Sequence, residues 1–366
     1  MKIAKLIPTA VSALFILTSF SCQSSKELEE TLETMESEDA NSGAETESAK
    51  ETVSFEEEEE LQKEADSIER LDFKEIWGYV MGGREHEFSA KFPITDVGYF
   101  CDAVNTFSEM PQVPPRSKFF KDYKGRVHLT TSVDSKSQTH LLLQPDLPLR
   151  DRIIKQMVKA AETYDGLQID WESVPKEDDE NFWEFLKKLK EELKGKPLSM
   201  AIPARTKTLQ RDAYNYEKLS AIADRIIIMA YDEHWSTSKP GAIASTDWCR
   251  RIAEYTKTQI PAEKLVMGLS LYGRTWMSAP VKAQAWYNSG IERIKREQNV
   301  TEVQRDSYGT PHFTFKEEVT ITGWYDDIES LKIRCKMYGD VGIEKIAFWR
   351  VGFEDPEFWK YLGIKK

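Results

Sequence analysis

From Trp77 onward, the chain alternates short apolar runs with longer stretches in which apolar residues recur at helical spacing. The short runs are continuous and rich in Ile, Val and Leu, which is typical of strands buried on both faces. They predict eight strands: Ile76–Val80, Asp96–Phe100, Val127–Val133, Leu167–Glu172, Leu198–Pro203, Ile226–Tyr231, Leu265–Leu271 and Lys345–Trp349. The amphipathic stretches predict helices at Leu149–Tyr164, Asp179–Leu193, Tyr216–Ala223, Thr246–Thr256 and Ile328–Tyr338.

Eight strands that alternate with helices over about 295 residues fit an α/β fold, the (β/α)8 TIM barrel. This barrel is expected to occupy residues 71–366. The stretch between the seventh and eighth strands is longer than one helix requires. We therefore expect a small insertion between strand 7 and helix 7, at about residues 277–323. An open, doubly wound sheet is the alternative, but the Gly-rich phosphate loop expected after its first strand is missing.

Residues 1–21 have the features of a secretory signal peptide. Lys2 and Lys5 precede an apolar run that is too short to span a bilayer, and small residues lead toward Cys22. The segment resembles a bacterial lipoprotein signal, in which the cysteine is lipidated and becomes the mature N-terminus. The resemblance implies an exported protein held at the membrane by a lipid on Cys22, in the periplasm or at the cell surface. An ordinary signal peptide followed by a chance cysteine is the alternative.

Residues 26–70 contain 18 acidic and 4 basic side chains and no recurring apolar period. This composition predicts a disordered linker over residues 22–70, between the lipidated cysteine and the folded domain. The net charge of -12 belongs to this linker, because residues 71–366 contain 44 acidic and 44 basic side chains. A neutral domain offers no basic surface, so we expect no nucleic-acid partner.

The other cysteines are Cys101, Cys249 and Cys335, and their spacing fits neither a disulfide framework nor a metal site. We expect them to be small core residues. The five histidines are scattered and form no metal-ligand pattern. The sequence therefore implies no metal and no other cofactor, and we expect the chain to act as a monomer.

The fourth predicted strand carries two carboxylates at its end. The segment reads Asp165-Gly166-Leu167-Gln168-Ile169-Asp170-Trp171-Glu172. Alternate residues of a strand share a face, so Gln168, Asp170 and Glu172 are predicted to point into the barrel. Carboxylates about 7 Å apart repel each other when both are charged, which raises one pKa, as a general acid requires. A solvated pair at the rim of the barrel is the alternative.

This octapeptide resembles the signature of glycoside hydrolase family 18, the chitinases and related N-acetylglucosaminidases. Four residues match the family pattern Asp-Gly-x-Asp-x-Asp-x-Glu, and Gln168 replaces its middle Asp. Four further segments resemble family motifs in the same order: Met229-Ala230-Tyr231-Asp232, Lys264–Arg274, Trp324-Tyr325-Asp326-Asp327 and Phe348-Trp349. The resemblance covers most of residues 72–366, and five ordered motifs are far more specific than any one of them.

The resemblance implies a retaining glycosidase in which the substrate's own 2-acetamido oxygen attacks the anomeric carbon. Glu172 would protonate the leaving oxygen and then deprotonate the incoming water. Asp170 would bind the acetamide N–H, and Tyr231 would donate to the acetamide oxygen. Trp349 would form the apolar floor under the reacting sugar. The implied substrate is a polymer of β-1,4-linked N-acetylglucosamine (GlcNAc).

Three more residues are candidates for substrate binding. Asp232 and Arg274 would contact sugar hydroxyl groups, and Gln168 would hydrogen-bond to Asp170, although an amide cannot exchange a proton with it. An amide at this position resembles the branch that includes the spore-cortex-lytic N-acetylglucosaminidases. This shifts the expected substrate from chitin toward the glycan strands of peptidoglycan; chitin oligosaccharides and protein-linked glycans remain alternatives because they share the GlcNAc core.

Most other aromatic residues have structural interpretations. Four tryptophans are expected in the core or against helices: Trp77, Trp183, Trp248 and Trp359. Three others are equally candidates for walls of a sugar subsite: Trp235, Trp276 and Trp286. Arg205 follows the fifth strand and either lines the cleft or forms a salt bridge. The rival to a hydrolase is a non-catalytic glycan-binding or adhesion lipoprotein on the same barrel, but family members of that kind typically lack the acid that Glu172 supplies.

Overall fold

The computed structural model describes residues 69–279, 281–316 and 318–365. The predicted signal peptide (residues 1–21), the lipidation candidate Cys22 and nearly all of the predicted linker (residues 22–70) lie outside the described residues. None of the described helices is both long enough and apolar enough to cross a membrane.

Eight parallel strands close into a barrel, which confirms the predicted (β/α)8 TIM fold. The described strands are β1 (Leu71–Phe73), β2 (Glu75–Met81), β3 (Asp96–Phe100), β4 (Arg126–Ser132), β5 (Gly166–Asp170), β6 (Leu198–Pro203), β7 (Arg225–Met229), β8 (Leu265–Ser270), β9 (Gly273–Met277), β10 (Gln284–Trp286), β11 (Gln304–Arg305), β12 (Pro311–Lys316), β13 (Thr320–Trp324), β14 (Lys345–Trp349) and β15 (Leu362–Ile364). The barrel runs β14-β2-β3-β4-β5-β6-β7-β8, and β14 also pairs with β8, so the sheet has no free edge. Outside it, β1 and β15 pair in parallel and join the two ends of the domain.

Helices surround the barrel, although the first two connections carry little helix. The α-helices are α1 (Ser117–Phe120), α2 (Lys136–Leu143), α3 (Pro148–Ala160), α4 (Asp179–Glu192), α5 (Tyr216–Ile222), α6 (Thr246–Lys257), α7 (Asn288–Glu297) and α8 (Ile328–Asp340). Between β2 and β3 there is only a short 3-10 turn, Glu85–Glu87, and between β3 and β4 only the four-residue α1. The five predicted helices correspond to α3, α4, α5, α6 and α8.

Two of the predicted strands end two residues earlier than expected, and the difference concerns the site. β5 ends at Asp170 and β7 at Met229, so Glu172 and Tyr231 belong to the loops that leave the barrel. The period-two argument therefore holds for Gln168 and Asp170 and does not extend to Glu172. The loops at this end of a TIM barrel carry the catalytic groups, since their backbone is not constrained by the sheet.

The residue between the two carboxylates packs outward. Trp171 lies against Phe182 and Phe185 of α4, with ring centroids 6.5 and 5.0 Å apart. These apolar contacts anchor the loop on the helix layer, and they leave Asp170 and Glu172 directed to the opposite side.

The helices next to the site begin at side-chain caps. Asn215 accepts a hydrogen bond from the backbone N–H of Lys218 at the start of α5, and Ser245 caps α6 in the same way. Asp327 and Ser330 cap α8 reciprocally. The caps on α5 and α6 fix where the loops from β6 and β7 end. These two loops rise above the C-terminal end of the barrel.

The insertion between β8 and α8 is a five-stranded antiparallel sheet in the order β10-β9-β13-β12-β11, together with α7. Its strands begin at Gly273 and end at Trp324, close to the predicted limits. It has a small apolar core of its own, formed by Trp286, Ile291, Phe313 and Tyr325.

Charged residues occupy the opposite, N-terminal end of the barrel and pair with one another. Arg225 donates to both carboxylate oxygens of Glu75, at 2.5 and 2.9 Å. Arg126 binds Asp96 in the same bidentate way, at 2.6 and 2.9 Å, and the ring of His128 lies 3.1 Å from Asp96. Each of these residues begins or nearly begins a strand, so the network joins four strands of the barrel.

The cysteines match their predicted role in part. Cys249 and Cys335 are buried, whereas Cys101 is half-buried at the end of β3, and all three are free thiols.

Candidate active site

A cleft of about 360 Å³ opens at the C-terminal ends of the barrel strands. Its lining comes mainly from β5, β6, β7 and β14 and the loops that follow them. The lining residues are Asp170, Glu172, Pro203, Ala204, Arg205, Tyr214, Met229, Tyr231, Asp232, Trp248 and Trp349. The structure thus brings five predicted site residues into one cavity: Glu172, Asp170, Tyr231, Trp349 and Asp232.

The two carboxylates at the centre of the cleft have unpaired oxygens. Asp170 Oδ1 and Glu172 Oε2 are buried, and neither accepts a hydrogen bond from any residue in the described ranges. Burial raises the pKa of Asp170. Burial, together with the charges of Asp170 and Asp232, raises the pKa of Glu172 well above its usual value. Repulsion was the predicted cause, but desolvation is the larger one, and it favours a protonated Glu172 near neutral pH.

Two tyrosines stand beside the carboxylates, and two glycines make room for them. A Cβ on Gly268 would lie 3.1 Å from the Tyr231 ring, and one on Gly98 would lie 2.5 Å from the Tyr79 ring. Burial raises the pKa of both hydroxyl groups, so that both remain protonated and can donate hydrogen bonds. Tyr231 lines the cleft, whereas Tyr79 lies beneath it.

Trp349 closes the bottom of the cleft. Its ring lies 5.4 Å from Tyr79 and 5.3 Å from Phe100, measured between ring centroids. The next residue, Arg350, is buried and donates to Glu87 at 2.5 Å. The aromatic neighbours and this ion pair hold Trp349 as a flat apolar surface at the end of β14.

Asp232 is held from behind by two buried residues. Tyr272 donates to Asp232 Oδ1 at 2.6 Å, and Arg274 donates to the same atom at 3.1 Å. Asp232 itself has a positive φ of 57°, at the turn where the chain leaves β7. Asp232 lines the cleft, whereas the structure places Arg274, only 3% exposed, behind it and not in the lining.

Gln168 is fully buried below the carboxylates. Its amide accepts from Thr130 at 3.4 Å and donates to Ser199 at 3.2 Å. The expected hydrogen bond to Asp170 is not among its contacts within the part of the chain that the structure describes. Gln168, on β5, therefore connects the two neighbouring strands β4 and β6 and does not line the cleft.

Prediction from the sequence missed or misassigned several residues of the cleft. Trp248 was expected to pack against a helix but lines the cleft, because α6 begins at the edge of the cavity. Arg205 combines the two predicted alternatives, because it lines the cleft and also forms a salt bridge with Asp212 at 3.1 Å. Tyr214 comes from the loop between β6 and α5, where no periodic pattern marks it.

The three tryptophans considered for subsite walls differ in exposure. Trp276 and Trp286 are 5% and 8% exposed and belong to the sheet of the insertion, outside the cleft lining. Trp235 follows β7 and is 38% exposed. Of the three, only Trp235 offers a large accessible ring, although it too lies outside the cleft lining.

A larger cavity of about 640 Å³ lies on the outer surface, between β1, α7 and α8. Its charged groups compensate each other: Arg305 lies 2.5 Å from Asp327 and 2.9 Å from Glu329. In the described ranges, no group of three or more His, Cys, Asp or Glu side chains is placed to hold a metal ion. Buried, uncompensated carboxylates mark the barrel cleft as the candidate active site instead.

Comparisons with known proteins show which family the chain belongs to. The family model for glycosyl hydrolases family 18 matches residues 134–354. The cortical fragment-lytic enzyme of Bacillus anthracis is 29% identical over 231 residues, which are 59% of this chain and 54% of that protein. The chain spans about half the length of the curated relatives it matches.

Solved structures share the fold. The spore cortex-lytic enzyme SleL of Bacillus cereus superposes with a TM-score of 0.72 at 23% identity, covering 82% of this chain and 76% of that one. A chitinase from Chromobacterium violaceum gives a TM-score of 0.68 at 21% identity, covering 79% of this chain and 97% of that one. The family match spans more than half of the chain and includes both Asp170 and Glu172. The chain therefore belongs to glycosyl hydrolases family 18.

Proposed function

We propose that the chain is a glycosidase that cleaves β-1,4-linked N-acetylglucosamine polymers, and that the glycan strand of peptidoglycan is its substrate. The observation that carries the proposal is the grouping of Asp170, Glu172, Tyr231 and Trp349 in one cleft. An apolar floor, a protonated acid and a second carboxylate are the parts needed to bind an N-acetylated sugar and break its glycosidic bond.

Glu172 is the proposed general acid. Its raised pKa keeps the carboxyl protonated in the resting enzyme, and its unpaired Oε2 is directed into the cleft region without a competing protein partner in the described residues. It gives its proton to the leaving oxygen as the glycosidic bond breaks. It then removes a proton from the water that completes hydrolysis.

The nucleophile in this proposal belongs to the substrate. The 2-acetamido oxygen attacks the anomeric carbon and forms a positively charged oxazolinium ion. Asp170 accepts a hydrogen bond from the acetamide N–H and stabilises that positive charge. Tyr231 donates to the acetamide oxygen and holds it below the anomeric carbon. Two inversions then give retention of the β configuration.

Two observations favour peptidoglycan over chitin. Three of the relatives are cortical fragment-lytic enzymes of Bacillus, and Gln168 replaces the middle acid of the family signature. Chitin oligosaccharides and protein-linked glycans share the GlcNAc unit and would fit the same carboxylates and floor. The distinction therefore depends on groups farther along the cleft.

The test is sugar release by the purified protein from peptidoglycan stripped of its peptides and from chitin oligomers. Glu172→Gln is the control, since it keeps the shape of the side chain but removes the transferable proton. Cleavage of peptidoglycan by the wild type but not by Glu172→Gln supports the proposal. Cleavage of chitin oligomers without cleavage of peptidoglycan would make chitin the substrate instead. If the wild type binds these glycans and cleaves none of them, the non-catalytic glycan-binding alternative replaces hydrolysis.

We further propose that the enzyme is exported and anchored by a lipid on Cys22, and that it acts as a monomer. Cys22 and the acidic residues that follow it support this proposal through their order in the sequence. Several buried acyl chains hold a protein firmly at a membrane. The test is incorporation of a radiolabelled fatty acid and partition into detergent. Both should be lost in Cys22→Ala, and labelling that persists in this variant would contradict the anchor.

A further inference from the structure

We propose that Tyr214 is a positioning residue for the acid, holding the loop that carries Glu172 from both sides. This inference rests on the proposed function, because it assigns Glu172 the role of general acid. Tyr214 lies in the loop between β6 and α5, 40 and 43 positions along the chain from the two residues it holds.

The hydroxyl group of Tyr214 makes two hydrogen bonds to the backbone around Glu172. It donates to the carbonyl oxygen of Trp171 at 2.7 Å and accepts from the N–H of Val174 at 3.1 Å. One oxygen atom thereby bridges the residue before Glu172 and the second residue after it. Tyr214 is 7% exposed, so water competes little for these bonds.

The backbone is the relevant constraint because the carboxyl group is weakly tethered. Glu172 Oε2 is buried and has no hydrogen-bond partner among the residues that the structure describes. The direction of the carboxyl group therefore depends on where the loop places the Cα atom of Glu172. A general acid must lie within hydrogen-bond reach of the leaving oxygen, so a small shift of that loop affects proton transfer directly.

Tyr214 is itself fixed by its own loop. Its N–H donates to Asp212 at 3.1 Å, and Asp212 also pairs with Arg205 at the end of β6. The preceding carbonyl, that of Ala213, accepts from the indole N–H of Trp183 in α4 at 2.9 Å. Burial raises the pKa of the Tyr214 hydroxyl, which keeps it protonated and able to donate. The hydroxyl is thus presented to the acid loop from a rigid support.

Tyr164 provides a matched control. It is also buried, and its hydroxyl donates to a backbone carbonyl, that of Pro114, at 2.7 Å. It precedes β5 at the opposite end of the strand from Glu172. Tyr164→Phe and Tyr214→Phe therefore both remove a buried hydroxyl group that donates to a backbone carbonyl, and only Tyr214→Phe touches the loop that carries Glu172.

The experiment compares these two variants with the wild type on two substrates. One is a GlcNAc oligomer, whose leaving group must be protonated, and the other is a nitrophenyl glycoside, whose leaving group departs with little help. Tyr214→Phe should lower kcat on the oligomer by about 10- to 100-fold with little change in KM. The loss on the nitrophenyl glycoside should be clearly smaller, and Tyr164→Phe should keep both activities.

A second measurement does not depend on turnover. Hydrogen exchange at the amide of Val174 should become faster in Tyr214→Phe and stay unchanged in Tyr164→Phe. Equal losses on the two substrates, or unchanged exchange at Val174, would overturn the positioning role. A wild type that cleaves neither substrate would contradict the proposed function instead, and the exchange result would then decide the structural claim alone.

Discussion

The two ends of the barrel bury ionisable groups in opposite ways. At the N-terminal end, Glu75 and Asp96 each face an arginine that binds both carboxylate oxygens. At the C-terminal end, Asp170 and Glu172 have buried oxygens that lack a partner among the described residues. The same eight strands run between the two ends of the barrel. The difference therefore lies in the residues at the N-terminal and C-terminal ends of those strands.

The contrast separates stability from chemistry. Burial alone would raise the pKa of Glu75, but the hydrogen bonds and the charge of Arg225 lower it. Among the described residues no cation compensates for the burial of Glu172, and its pKa is raised. A paired carboxylate joins strands, whereas an unpaired one is kept as an acid at some cost in stability. Asymmetry of this kind indicates which end of a barrel acts on substrate.

The largest expected effect is on turnover, at the unpaired end. Glu172→Gln should lower kcat on a GlcNAc polymer by about 10³- to 10⁴-fold, because general acid catalysis typically supplies up to that much. The measurement is steady-state hydrolysis, with circular dichroism to show an intact fold. A variant with more than a tenth of wild-type turnover would rule out Glu172 as the acid.

Tyr231→Phe should follow, with a loss in kcat of about 10²-fold. The change removes the hydroxyl that holds the acetamide oxygen below the anomeric carbon, and a misplaced reacting group typically costs about that factor. The matched control is Tyr272→Phe, which removes a donor to Asp232 without removing a group from the cleft lining. We expect Tyr272→Phe to lose less activity than Tyr231→Phe, and the reverse order would argue against the role of Tyr231.

Glu75→Gln should instead lower stability and leave the chemistry intact. The amide cannot accept both hydrogen bonds from Arg225 as a charged partner does. Losing such a bond typically costs about 1–3 kcal/mol in the free energy of unfolding. Denaturant unfolding measures this loss, while kcat of the folded protein should remain within about twofold of wild type. A large fall in kcat would show that the two ends of the barrel are not independent.

The fold was largely accessible from the sequence because buried parallel strands are short and continuously apolar. The predicted bounds of Asp96–Phe100, Leu198–Pro203 and Lys345–Trp349 coincide with the structure. Errors arose where a strand ends and a loop begins, since Trp171 and Ala230 extend the apolar pattern beyond the hydrogen-bonded ladder. Periodicity does not distinguish a buried loop residue from the last residue of a strand.

The site was accessible only where a local motif marks it. Asp170, Glu172 and Tyr231 lie in recognisable segments at strand ends, and the structure places them together in the cleft. Tyr214 and Trp248 lie in a loop and a helix whose patterns are explained equally well by packing. The pairing of Glu75 with Arg225 joins residues 150 positions apart, and no local pattern in a single sequence indicates such a contact.

The pH dependence of stability is the sharpest test of the comparison. The same change, from Glu to Gln, should alter the free energy of unfolding with opposite sign at the two ends of the barrel. The pKa of Glu172 in the folded protein is raised by burial above its unfolded value, so the native state binds more protons between the two values and stability falls as pH rises through them. Glu172→Gln cannot ionise. It should match wild type below about pH 4, near the unfolded pKa of a glutamate, and become more stable above it, by about 1–3 kcal/mol at neutral pH.

Glu75→Gln should behave in the opposite way. The pKa of Glu75 is lowered, so the stability that it contributes is present above about pH 4 and is lost as pH falls through the folded pKa. The deficit of Glu75→Gln should therefore be largest at neutral pH and shrink in acid. Denaturant midpoints of both variants between pH 3 and pH 8 make the comparison. If Glu172→Gln were destabilised at neutral pH like Glu75→Gln, Glu172 would be a paired structural carboxylate, and the distinction between the two ends would fail.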